Sequence, residues 1–194
     1  MIEDCTALIL AGGDSRRMGQ DKAGLVLDGK TLLDRVTATM QQVFPKVIVS
    51  VRHLRAGVEV QQVCDGQEAG GPLAGLIAGM TQADTPWMFA VACDMPFVTQ
   101  AVVLQLAALR EVHQAVVPIV GGYPQPLAAF YAASALPAMR ASLASGDRSL
   151  RGTLDKLDVR YVSDAELREC DPQLSSFFDL DTPQDFQAAQ NSNK

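Results

Sequence analysis

A rhythm constrains this chain more than any other feature. Over residues 6–112, short apolar runs alternate with stretches whose apolar residues recur at helical spacing. Residues 6–10 form an apolar run ending in glycines, which reads as a buried strand followed by a turn. Leu32, Leu33, Val36, Met40 and Val43 then lie on one face of a helix over 31–43, with Thr31 and Asp34 spaced as a capping box. Strands are expected over 47–51 and 58–63, a helix over 73–80, a strand over 87–93, and a helix from Thr99 to about Val112. Its apolar face would be Val102, Val103, Leu106 and Leu109. Strand–helix alternation implies an α/β fold with a mostly parallel sheet. The strands are continuous apolar runs, as expected when helices cover both faces.

The rhythm changes after about residue 114. Runs over 115–120 and 127–132 flank Gly121-Gly122 and Pro124, which predicts a small antiparallel element. A helix capped by Ser134 and ending near Gly146 follows, then strands over 159–163 and 177–180. Thr182, Pro183 and Asp185 mark the start of a closing helix. Gly75 and Gly79, four apart in the 73–80 helix, predict close packing of that helix on the sheet. The 194 residues suit a single domain spanning 1–194, and 48% hydrophobic residues are enough for a sizeable core.

Charge narrows the function classes. A net charge of −6 argues against binding a nucleic-acid backbone, which needs a broad basic surface. No apolar run approaches a membrane span, and the N-terminus lacks the pattern of a signal peptide, so a cytoplasmic protein is expected. The four cysteines, Cys5, Cys64, Cys93 and Cys170, are scattered without a CxxC pair. They read as buried free thiols in a reducing compartment rather than zinc ligands or nucleophiles. His53 and His113 read as solvated or structural.

In parallel α/β sheets, ligands bind beyond the carboxyl ends of the strands. The first such end carries LILAGGDSRRMGQDK, residues 8–22. Gly12 and Gly13 let the backbone approach phosphate oxygens, and Arg16, Arg17 and Lys22 supply positive charge. The spacing matches neither the Walker A loop nor the dinucleotide GxGxxG fingerprint. A glycine pair alone fits an ordinary turn equally well; three nearby cations favour a site. Asp94, in CDMP, follows an apolar strand and stands too far ahead of Thr99 to cap its helix. It fits a carboxylate that shares Mg²⁺ with phosphate oxygens. Asp65, taken alone, fits a loop aspartate as well as a site. Asp179 and Asp181 stand beside the last expected strand.

LAGGDSRRMGQDK resembles the signature of small nucleotidyltransferases, and of the molybdenum cofactor guanylyltransferase family in particular. VIVSVRH, VCDG, GPLAGL, CDMP, QPLAAFY and DLDTPQDF follow in the order that family shows them, covering nearly the whole chain. The resemblance implies a Rossmann-like nucleotidyltransferase fold, with residues 1–113 as the nucleotide-binding half and 114–194 as the acceptor half. It implies a Mg²⁺-dependent reaction in which GTP and molybdopterin give the guanine dinucleotide cofactor and pyrophosphate. Transient contact with proteins that deliver or accept the cofactor is implied as well, with no role for nucleic acid or membrane.

By that resemblance Leu10, Ala11, Gly12 and Gly13 hold the nucleotide through backbone groups. Lys22 binds phosphate with help from Arg16, Asp94 holds Mg²⁺, and Asp65 contacts the nucleoside. Lys22, Asp94 and Arg16 are the catalytic candidates. Related cytidylyltransferases resemble LAAG where this chain has LAGG, and the missing Cβ of Gly13 leaves room for a purine. The alternative is a related enzyme that uses CTP or another phosphorylated acceptor, such as a sugar phosphate. The chain departs from the family in two places. Ser50 stands where an asparagine is common, and Asp179-Leu180-Asp181 replaces an NxN pattern. Asp179 reads as structural, and Asp181 as a contact to metal or pterin.

Overall fold

A computed structural model describes residues 1–12, 21–65 and 71–192. The first half of the chain forms β1 (Cys5–Leu10), β2 (Val26–Leu27), β3 (Lys30–Thr31), α1 (Leu32–Val43), β4 (Lys46–Val51), β5 (Gln61–Cys64), α2 (Pro72–Gln82), β6 (Trp87–Ala92) and α3 (Gln100–Ala107). The second half adds β7 (Ala115–Val120), β8 (Tyr123–Pro124), β9 (Ala128–Ala132), α4 (Leu136–Ala144), α5 (Leu150–Leu154), β10 (Val159–Val162), α6 (Asp164–Leu167) and α7 (Pro183–Ser192). The main sheet runs β10-β7-β9-β6-β1-β4-β5, with β8 paired to β7. Pairings β1/β4, β1/β6, β4/β5 and β7/β10 are parallel, and β9 runs antiparallel to both β6 and β7. The expected α/β architecture, mostly parallel with an antiparallel element in the second half, is what forms.

β1 shows why both faces need cover. Cys5, Ala7 and Ile9 pack with Val36 and Met40 of α1 and Val102 and Leu106 of α3. Leu8 points the other way, into a core with Leu73, Leu76 and Met80 of α2 and Met139 of α4. The period of two along the strand thus feeds two separate helix layers. On the first face the Phe44, Phe89 and Phe130 rings cluster with centroids 4.8–6.2 Å apart, Phe44 stacked on Phe89 and Phe130 tilted against both.

The α2 glycines do what their spacing predicts. A Cβ at Gly79 would come within 2.5 Å of both Leu8 methyl carbons, and one at Gly75 within 2.8 Å of Ser50 Oγ. Only hydrogen at these positions lets α2 lie this close to β1 and β4. Thr31 caps α1 by accepting the Asp34 N–H at 3.0 Å, and Thr182 with Asp185 closes a reciprocal cap at the start of α7.

Several elements differ from the sequence reading. The second edge strand is Gln61–Cys64 rather than 58–63, because its ladder to β4 begins only at Ile48–Gln61. Val58 and Val60 pack against the core from outside the ladder. α3 ends at Ala107, short of Val112, which is exposed; Glu111 turns the chain with a φ of 21°. Ser134 sits in a 3₁₀ turn, Ala133–Ala135, and caps nothing; α4 begins after it with Pro137 in its first turn.

Residues 177–180 form no strand. The Asp171 carboxylate accepts the N–H groups of Ser175 and Ser176 and folds Ser175–Phe177 into a 3₁₀ turn. Leu180 then enters a small core with Leu27, Leu32 and Ala189. The β2–β3 hairpin, turned at Asp28-Gly29 with φ of 51° and 78°, was signalled by its Asp-Gly pair but not read as strands. Ser149 and Ser163 each start a short helix that the apolar pattern also missed.

Gly79→Ala is expected to destabilise the protein despite the higher helix propensity of alanine. Overpacking against a fully buried Leu8 costs about 1–3 kcal/mol, against ~1 kcal/mol gained in propensity. Urea unfolding measures the difference, and a variant as stable as the parent would show that α2 can retreat from β1.

Candidate active site

The carboxyl ends of β1, β4, β5 and β6 open on one cavity of about 440 Å³, within the range of small-molecule sites. Its walls include Leu10, Ala11, Gly12, Lys22, Ser50, Arg52, Asp65, Asp94, Leu127 and Arg148. Leu10, Ala11 and Gly12 continue β1 into the cavity. The Ala11 N–H donates to Ser50 O at 2.8 Å, and Leu10 O accepts the Cys93 N–H at 3.1 Å, so the loop leaves the sheet between β4 and β6. Gly13, Arg16 and Arg17 lie outside the described residues. The chain returns at Asp21, whose carboxylate accepts the Ala23 N–H at 3.3 Å and starts a 3₁₀ turn over Lys22–Gly24.

That turn aims Lys22 at two carboxylates. Its Nζ donates to Asp94 Oδ2 at 2.8 Å and to Asp181 Oδ1. Asp94 stands just past β6, and its carbonyl accepts the Leu180 N–H at 2.9 Å. This backbone bond brings the segment after the Ser175–Phe177 turn alongside β6 and delivers Asp181. Burial on its own lowers the Lys22 pKa, but the hydrogen bonds to Asp181 and Asp94, with their charges, outweigh it and raise the pKa. Lys22 is therefore an ammonium at neutral pH. Asp179 has a raised pKa, first through withdrawal from water and then through repulsion by Asp181 and Asp94.

Asp65 is buried on the far flank, beyond β5. Its own N–H donates to Val51 O at 3.2 Å. Burial raises its pKa, and nearby Arg52, then a backbone hydrogen bond and His53, pull it part of the way back. A Cβ at Gly12 would stand 3.2 Å from Asp65 Oδ2, so the glycine loop and this carboxylate share one confined wall. At the mouth of the cavity Arg55 forms a forked ion pair with Asp21, and the Gln62 side-chain amide fixes the Arg55 backbone through bonds of 2.8 and 2.9 Å.

Cys93, beside Asp94, is pushed up to about 12, first by burial and then by the Asp94 charge. It is a neutral thiol at physiological pH, not a nucleophile. Cys5 is likewise buried, whereas Cys64 is exposed, contrary to the expectation of uniformly buried thiols.

The structure thus brings Leu10, Ala11, Gly12, Lys22, Asp65 and Asp94 to one cavity. The sequence reading missed the ion pair of Asp181 with Lys22, the Asp21–Arg55 pair and Arg148. The first two carried one signal each, an aspartate just before a helix cap and an aspartate just before the site lysine. Arg148 carried none, since it lies in a polar turn far along the chain. Among the described residues, no group of three or more His, Cys, Asp or Glu side chains is arranged to hold a metal. No helix among them is long and apolar enough to cross a membrane.

Comparison with known proteins points the same way as this geometry. A molybdenum cofactor guanylyltransferase of Desulfosudis oleivorans is 36% identical over 197 aligned positions, covering 100% of this chain and 98% of that protein. The crystal structure of molybdopterin-guanine dinucleotide biosynthesis protein A from Archaeoglobus fulgidus superposes with a TM-score of 0.86 at 29% identity, over 97% of this chain and 98% of the other. A 2-C-methyl-D-erythritol 4-phosphate cytidylyltransferase from Thermus thermophilus shares the fold, with a TM-score of 0.72 at 20% identity over 96% and 97% of the two chains. Residues 7–161 match the MobA-like NTP transferase domain. A glycine loop, a site lysine and a strand-end aspartate on one cavity, in a chain with these relatives, make this protein a nucleotidyltransferase of the molybdenum cofactor guanylyltransferase family.

Proposed function

We propose that the protein transfers GMP from GTP to molybdopterin, releasing pyrophosphate. The observation that carries the reading is the convergence of Lys22 and Asp94 with Asp65 and the glycine-loop backbone on one cavity of nucleotide size. A phosphate oxygen of molybdopterin attacks the α-phosphorus of GTP. The new O–P bond forms as the bond to the β-phosphate oxygen breaks, and the electron pair leaves with pyrophosphate. Such a transfer asks for positioning and charge neutralisation rather than a protein nucleophile. The neutral Cys93 thiol is consistent with that.

Each residue has a physical part. With the Ala11 N–H committed to Ser50 O, backbone N–H groups from Gly12 onward meet phosphate oxygens at the end of β1, where the missing Cβ of Gly12 keeps that approach open. Lys22, held by Asp94 and Asp181, places a fixed ammonium beside the triphosphate; Arg16 adds a second positive charge. Asp65 accepts hydrogen bonds from the N–H groups of guanine. A buried acceptor-only carboxylate matches paired donors, which cytosine does not present in the same way.

Two carboxylates share one lysine ammonium, leaving excess negative charge where a polyanion must sit. Asp94 and Asp181 are hard oxygen donors and fit Mg²⁺, which takes one or two carboxylates and completes its shell with phosphate oxygens and water. Asp94 and Asp181 would hold such an ion, which would supply positive charge to neutralise the phosphates. The protein's surroundings and its contact with cofactor-handling proteins follow the same reading: it works in the cytoplasm and passes its product to them.

Pyrophosphate release in the presence of molybdopterin, compared for GTP, CTP and ATP, tests the reading; turnover is expected with GTP. Preference for CTP, or turnover with a sugar phosphate and none with molybdopterin, would overturn it. Asp94→Ala is expected to lower kcat by about 100-fold or more, and Lys22→Ala to raise the KM for GTP and lower kcat together. Near-normal kinetics in either variant would show that the residue has no part in the reaction.

Asp65→Asn separates binding from stability. The folded-state pKa of Asp65 lies above its ordinary value of 3.8, so ionisation costs more in the folded protein than in the unfolded one. That cost is absent below about pH 3.8 and develops as pH rises through the raised pKa. The variant should therefore melt higher than the parent at pH 7, with the gap closing towards pH 4, while binding GTP more weakly. Equal melting at both pH values would show that the buried charge carries no cost.

A further inference from the structure

Arg148 enters the cavity from the second half of the chain, in the turn between α4 and α5. The turn is braced on both sides. The Asp147 carboxylate accepts the Ser149 N–H at 3.0 Å and the Lys156 ammonium at 3.3 Å. Ser149 Oγ accepts the Gly152 N–H at 3.1 Å and caps α5. A Cβ at Gly152 would stand 2.8 Å from Asp147 Oδ2, so the carboxylate packs directly on the first turn of that helix. Lys156 also reaches back to Ser142 Oγ of α4 at 2.9 Å. Leu150, two residues beyond Arg148, is buried with Ala115, Val117, Ala129 and Tyr131. The turn therefore rides on the β7–β9 side of the sheet.

Arg148 itself makes no hydrogen bond or ion pair with another described residue. The other described cations of the cavity are committed. Lys22 is shared between Asp94 and Asp181, and Arg52 offsets the Asp65 charge. An exposed guanidinium carried on a braced turn, without a carboxylate partner among the described residues and lining a cavity that must take up anions, is set up to receive one.

The sheet order decides which anion. Asp65 lies past β5, Asp94 past β6, and Leu127 just before β9, with Asp94 between the two flanks. With the nucleoside on the Asp65 flank and the α-phosphate near Asp94, the remaining flank faces the attacking group. We propose that Arg148 binds the phosphate monoester of the acceptor and holds its oxygen towards the α-phosphorus. This rests on the guanylyltransferase reading and adds to it the residue that receives the acceptor anion. The planar fork of donors matches two oxygens of one phosphate, which a lysine meets only as a point charge.

Initial rates with Mg²⁺, GTP and molybdopterin, for the parent, Arg148→Ala and Arg148→Lys, test the proposal. Loss of one charge-assisted contact is expected to raise the KM for molybdopterin by about ten- to a hundredfold in Arg148→Ala. The KM for GTP, equilibrium GTP binding and the melting temperature should stay unchanged, and Arg148→Lys should recover part of the loss. A matching rise in the KM for GTP would place Arg148 on the triphosphate instead. Unchanged constants for both substrates would remove it from the site; either result overturns the proposal. A parent protein that makes no product from molybdopterin would overturn the functional reading and this inference with it, whereas a working parent with an unaffected variant overturns the inference alone.

Discussion

The Lys22 ammonium ties together three parts of the chain that are remote in sequence. Its partners lie 72 and 159 residues away, one at the end of the strand beside β1 and the other in the segment before the last helix. Buried charge is costly unless it is paired and hydrogen-bonded. A partly buried lysine therefore binds its carboxylates and, through them, sets the distance between the Lys22–Gly24 turn, the end of β6 and the C-terminal segment. The Leu180-to-Asp94 backbone bond and the small core of Leu27, Leu32, Leu180 and Ala189 reinforce that junction.

Electrostatics then divide the cavity. One flank holds a buried carboxylate, Asp65, with Arg52 near it; the centre holds Lys22 between two carboxylates; the other flank presents Arg148. Positive charge is concentrated at points rather than spread over a surface, and so an acidic protein of net charge −6 can take up polyanionic small molecules. The cysteines stay apart from this chemistry, since burial keeps the one nearest Asp94 protonated.

Much of the architecture was legible in the sequence, and the errors share a cause. Apolar periodicity located β1, α1, β4, α2 and β6 because each buries a continuous face. It failed at residues 177–180, where the N–H groups of Phe177 and Phe178 bond back into the preceding turn and that of Leu180 to the Asp94 carbonyl, rather than to a neighbouring strand. It also failed at α5 and α6, whose single turns are too short to show a period. The GxxxG spacing was informative because two glycines in a helix carry a propensity cost that close packing must repay. Of the cavity residues, Asp94 was visible because it follows a recognisable strand and Lys22 because it clusters with other cations near the glycine pair, whereas Asp65 read equally well as a loop aspartate until the family resemblance singled it out.

Sequence alone was enough for the alternation of strands and helices, the two-faced core, the glycine pair after the first strand and the residue types proposed to meet a nucleotide. These are local properties, written in spacing and side-chain chemistry within about a dozen residues. Tertiary structure decided that Asp181 shares the lysine with Asp94, that Arg55 pairs with Asp21, and that Arg148 faces the same cavity as the glycine loop. Those contacts join positions up to 159 residues apart. They depend on the order of strands in the sheet and on which helix covers which face, and no local pattern records that order.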